Sequence, residues 1–138
     1  MKIFDLRLSR LIPGPPAEVF DVWFDPKSPG GPWYGAKKVL MNVAVDGLFY
    51  FATEHAGGLK GHFGRFVSID RPRSAEHTWM SPHTHGLETT VLVSFEARKG
   101  GTELTLVHRG LPEDEDGRKH EAGWTQLMAR FEKHFQRG

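Results

Sequence analysis

The chain has 138 residues, a length at which a hydrophobic core forms without help from metals or disulfides. Lys and Arg number 18 against 17 Asp and Glu, and the resulting net charge of +1 leaves no electrostatic footprint for nucleic acid or an anionic membrane. With no cysteine, thiolate metal ligands, disulfides and a cysteine nucleophile are excluded.

Charges within Met1-Lys2-Ile3-Phe4-Asp5-Leu6-Arg7 do not suit a signal peptide, and no later run is apolar for long enough to span a bilayer, so a cytoplasmic protein is expected. Phe4, Leu6 and Leu8 alternate with polar residues, as in a half-buried strand that Pro13-Gly14-Pro15-Pro16 stops. Pro16 suits the first turn of a short helix whose apolar side is Val19, Phe20, Trp23 and Phe24. From Pro26 to Gly35, prolines and glycines surround Trp33 and Tyr34, which predicts a loop or short helix that plugs something.

Lys38 to Val45 and Leu48 to Glu54 read as a hairpin turning at Asp46-Gly47. A further turn is expected at Gly57-Gly58, then strands from His62 to Ile69 and from Ala75 to Met80, and a loop at Ser81 to Gly86. Val91, Val93 and Phe95, then Leu104, Leu106 and His108, give two more alternating strands around Lys99-Gly100-Gly101. The acids Glu113 to Asp116 fit the positive end of a following helix better than a partner-binding patch. In that helix, placed at about Gly117 to Gln136, Trp124, Leu127, Met128, Phe131 and Phe135 recur at helical spacing, while Gln126, Arg130, Lys133 and Arg137 fall opposite. The sum is about seven strands and one long helix, an α+β arrangement in which a curved antiparallel sheet takes the apolar stripe. No repeat or linker divides residues 1–138, which read as one domain.

Several segments together carry a resemblance: Pro15-Pro16-Ala17-Glu18-Val19-Phe20, Trp33-Tyr34-Gly35, Gly64-Arg65-Phe66 through Asp70-Arg71-Pro72, Thr78-Trp79, Gly101-Thr102-Glu103-Leu104-Thr105-Leu106 and His120-Glu121-Ala122-Gly123-Trp124. In order and spacing this pattern resembles the AHSA-like family of the SRPBCC superfamily, named for an activator of a heat-shock-protein ATPase. The resemblance implies the helix-grip fold of START and birch-pollen-allergen-like proteins, with two short helices after the first strand. It also implies a cavity under the long helix that takes apolar small molecules.

Eight histidines raise the question of a metal, but their spacing does not support one. His120-Glu121 opens like H-E-x-x-H, yet Trp124 stands where the second histidine would be, and His83-Thr84-His85 lacks a third ligand. No G-x-S-x-G elbow, phosphate-binding loop or dinucleotide fingerprint is present. His108 continues the inward face of Leu104 and Leu106, and His120 lies one turn before Trp124, so both could border a pocket and orient a polar group or move a proton. The plainer alternative is a core histidine satisfied by a neighbour.

The leading expectation is therefore a protein without metal or organic cofactor that binds an apolar or aromatic small molecule between sheet and helix. Trp33, Tyr34, His108, His120, Trp124 and Met128 are its expected ligand-binding residues, with the helix stripe facing Val91, Val93, Leu104 and Leu106. A cofactor-free enzyme using His108 or His120, and an interaction module contacting a chaperone, are the rival readings.

Overall fold

The computed structural model describes residues 2–55 and 58–136. Gly57, half of one expected turn, and Arg137 lie outside them. The elements in chain order are β1 (Ile3–Ile12), α1 (Pro16–Trp23), β2 (Lys38–Met41), β3 (Leu48–His55), β4 (Gly58–Asp70), β5 (Ser74–Trp79), a 3-10 turn (Pro82–Thr84), β6 (Thr89–Arg98), β7 (Gly101–Pro112) and α2 (Glu115–Gln136). All seven strands form one curved antiparallel sheet in the order β1-β7-β6-β5-β4-β3-β2, and α2 is the long helix it grips.

The centre of the sheet follows directly from its sequence alternation. Phe95 pairs with Leu104, Val93 with Leu106 and Val91 with His108, and every member of these pairs is buried, so one face of β6 and β7 is closed. Trp124, Met128 and Phe131 of α2 are buried with them. The helix lies nearest β1 and β7 and touches the 3-10 turn. Its start is fixed locally: the Asp114 carboxylate accepts the Gly117 backbone N–H at 2.9 Å, and Glu115 and Asp116 complement the positive end.

Two local expectations are corrected. The segment after α1 is not a second helix but a chain of tight turns, with Asp25 N bonded to Val22 O, Ser28 to Asp25, Gly31 to Ser28 and Tyr34 to Gly31. Pro26 and Pro32 supply no N–H, and Gly30 has a φ of +85°, so a continuous α-helical ladder cannot form. Nor is Asp46-Gly47 a two-residue hairpin turn, because β2 already ends at Met41. Asn42 N closes on Leu48 O, and the loop folds back on β4, where Asp46 N and Gly47 O bond to Phe66 O and N at 2.9 and 2.8 Å. The positive φ at Asp46 is used for that fold-back.

Gly64 in β4 marks a close approach between strands. A Cβ there would stand 1.9 Å from Cε1 of Phe49 and 2.2 Å from the Thr78 carbonyl oxygen, and the latter cannot swing away. Gly64→Ala is expected to lower stability by about 2–3 kcal/mol through overpacking, read from the urea midpoint. An unchanged midpoint would show that β4 and β5 separate easily.

Candidate functional site

On its β3–β5 side the sheet stands away from α2, and a cleft of about 460 Å³ opens there. Phe51, Trp79 and Trp124 form its aromatic floor, Thr53 and His62 one wall, and His83, Lys119, His120, Gly123 and Leu127 the helix side and rim. The alternation of β3 turns Phe49 and Phe51 inward, and that of β5 turns Ala75, His77 and Trp79 inward, so these strands deliver large rings to a place where the helix does not follow. His62 lies flat on Phe51, with ring centroids 4.3 Å apart and planes 9° apart, and Trp79 packs 5.0 Å from Trp124. Behind this surface the tryptophans close a ring of contacts, Trp23 to Trp33, Trp33 to Trp79, Trp79 to Trp124 and Trp124 to Trp23, at centroid distances of 6.4, 6.5, 5.0 and 6.4 Å.

His108 lies fully buried beneath the floor. The Trp124 indole Nε1–H donates to its Nδ1 at 3.1 Å, so Nδ1 must carry the lone pair and Nε2 the proton. Nε2–H then donates to Thr89 Oγ1 at 2.7 Å, whose hydroxyl donates to the Trp79 carbonyl at 2.7 Å. Every polar atom in this relay is used. Burial, with His120 and His77 close by, pushes the His108 pKa down to about 2, so the ring is neutral. Its part is to position Trp124, and it has no nitrogen left with which to serve as a general acid or base.

His120 differs. Its Nδ1 lies 3.0 Å from the Gly117 carbonyl oxygen, which can only accept, so Nδ1 carries the proton and Nε2 the lone pair. Burial holds its pKa below the ordinary value, with the Gly117 carbonyl opposing the shift. Trp79 and His108 meet the ring edge-on.

The expected site residues are thus placed differently from one another. His120 and Trp124 line the cleft. Trp33 is buried behind Phe51, 5.0 Å away. Tyr34 is 53% exposed and lines a separate hollow of about 350 Å³ with Pro32, Lys37 and Arg130, which shares Phe51 and Thr53 with the cleft. Met128 is 2% exposed and does not reach the cleft; its neighbour Leu127 does. The expected opposition of helix stripe and Val91, Val93, Leu104 and Leu106 exists as packed core, since those four residues have no exposed surface. The opening lies over β3, β4 and β5 instead, and its rings Phe51, His62 and Trp79 are among the lining residues absent from the expected set, as are Thr53, His83, Lys119, Gly123 and Leu127.

The loop histidines are tied to the start of α2. His85 Nε2 lies 2.8 Å from Asp114 Oδ2, and His83 Nδ1 3.5 Å from Asp116 Oδ1. Among the described residues no group of three or more His, Asp or Glu side chains could hold a metal ion, and no helix is long and apolar enough to cross a membrane. Asp21, on the outer face of α1, takes a two-pronged bond from Arg71 at 2.8 and 2.7 Å.

The family model described as Activator of Hsp90 ATPase homolog 1-like protein matches residues 13–136. No curated protein matches the chain. Among solved structures, protein CV1439 from Chromobacterium violaceum is similar at a TM-score of 0.79 and 20% identity, over 95% of this chain and 96% of that one. An uncharacterised protein from Rhizobium leguminosarum gives 0.81 at 18% identity over 99% and 97%. CalU16 from Micromonospora echinospora gives 0.74 at 16% identity over 93% and 73%. These likenesses concern the fold.

Proposed function

The chain belongs to the Activator of Hsp90 ATPase homolog 1-like family, whose fold generally takes small hydrophobic ligands, and from that premise we propose that it binds an apolar or aromatic small molecule in the cleft between α2 and β3–β5. The observation that carries this reading is the aromatic floor of Phe51, Trp79 and Trp124 under an opening of about 460 Å³, with a few polar groups confined to its sides. A space of that size accommodates a small fused-ring compound, and burial of its flat faces against three rings supplies the affinity.

Gly123 gives a direct test. It lies within α2 on the cleft side, and a Cβ built on it meets nothing within 4 Å. Gly123→Phe therefore places a ring in the cleft without disturbing the core, and the helix gains a few tenths of a kcal/mol from losing a glycine. We would titrate N-phenyl-1-naphthylamine by fluorescence. The wild type is expected to saturate at micromolar dye and Gly123→Phe to lose at least tenfold in affinity, with an unchanged or higher melting temperature. Equal binding by both proteins, or none by the wild type, would end the cleft reading.

A further inference from the structure

We propose that the cleft selects a ligand whose planar apolar body carries a neutral O–H or N–H group, donated to Nε2 of His120. This deepens the binding reading above and rests on it. The argument is the fixed tautomer: because Nδ1–H is held by the Gly117 carbonyl at 3.0 Å, on the helix's own backbone, the ring offers its other nitrogen as an acceptor. That nitrogen is the one farther from the helix, on a residue that lines the cleft. His108, the nearest ring at 5.2 Å, does not supply the missing donor, since its own N–H is given to Thr89 and its lone pair to Trp124. Depression of the His120 pKa by burial keeps the ring in its accepting, uncharged form at neutral pH.

The selection has a sign. A ligand that brings a donor completes a hydrogen bond in a partly dry site, whereas one that brings only acceptor atoms sets lone pair against lone pair and leaves Nε2 unsatisfied. Lys119, the cationic group on the rim, is exposed and faces Asp116 at 3.5 Å, so its charge is already balanced by a neighbour and by water. An anionic ligand therefore gains little there to offset what it loses at His120.

The probes are 2-naphthol, 2-methoxynaphthalene and 2-naphthoate, measured by isothermal titration at pH 7.5 on the wild type and on His120→Phe, which keeps an aromatic ring but removes the acceptor. In the wild type 2-naphthol is expected to bind about tenfold tighter than the methyl ether, a difference of about 1.4 kcal/mol, and tighter than the carboxylate. His120→Phe is expected to bring the first two within twofold of each other. A wild-type ratio near one, a preference for 2-naphthoate, or a naphthol preference that persists in His120→Phe overturns the inference, while binding of N-phenyl-1-naphthylamine keeps the cleft reading standing. Failure of all these compounds and of the dye to bind overturns both. The wild-type ratio decides the matter even where the variant does not fold.

Discussion

Replacing His108 with leucine lowers the stability of the fold by about 3 kcal/mol in urea denaturation at pH 7.5. The substitution puts an apolar side chain of similar reach in place of the imidazole on the inward face of β7, so its cost is not that of a cavity. It comes from the groups left behind. The Trp124 indole N–H loses its acceptor, and Thr89 Oγ1 loses the N–H that it received, both in the interior. A buried donor without a partner costs about 1–3 kcal/mol, more than the bond itself contributes when formed. Trp124→Phe removes the donor from the other side and leaves His108 Nδ1 bare. The double variant should then cost clearly less than the two single losses combined, because the contact is counted in each. Additive losses would mean that His108 and Trp124 are independent core residues and that the relay to Trp79 carries no energy.

Acid should destabilise the protein between pH 7.5 and 5. His77 and His108 are neutral in the fold, with burial pushing their pKa values from 6.5 down to about 4 and about 2. In the unfolded chain both take up a proton near pH 6.5. Between 6.5 and the folded values the unfolded state thus binds more protons, so the stabilisation is complete above pH 6.5 and falls as the pH falls. Each histidine contributes about 1.4 kcal/mol per pH unit, and the pair loses about 4 kcal/mol between pH 7.5 and 5, a large part of the ~5–15 kcal/mol of a typical domain. Asp21, Glu113 and Asp114 have lowered values and so titrate below this window. Urea midpoints at pH 7.5, 6.5, 5.5 and 5.0 measure the slope, to which His120, also lowered by burial, adds in the same direction, and in His108→Leu it should be clearly shallower. A flat profile down to pH 5 would show that neither imidazole stays neutral in the fold.

The strand pairs of β6 and β7 could be read from the sequence because a period of two has one meaning when both partners are buried: the residues that alternate inward oppose each other. The stripe of α2 was legible for the same reason. What escaped was the placement of the opening. Periodicity says which side of an element faces inward but not how far the opposing surface stands away, and that distance depends on how the sheet curves over seven strands. Met128 and Leu127 are adjacent in the stripe, yet one is sealed and the other lines the cleft. His62 marks only a strand terminus in the sequence, because its stacking on Phe51 follows from a register, Phe51 opposite His62 across β3 and β4, that strand bounds alone do not specify. The opposite case is His108, whose inward direction was clear while its role was not. Its partners Thr89 and Trp124 are 19 and 16 positions away and carry no motif that joins them.

The closed ring of four buried tryptophans gives the protein an optical property. The chain has no other tryptophan, and none of the four is more than 5% exposed, so its emission is that of indoles shielded from water. Contacts between neighbouring rings let excitation absorbed by Trp23 or Trp33 migrate to Trp79 and Trp124, the two members that form the floor of the cleft. An occupant resting on those two therefore alters the light emitted after excitation of any of the four, and intrinsic fluorescence reports on the cleft without a label.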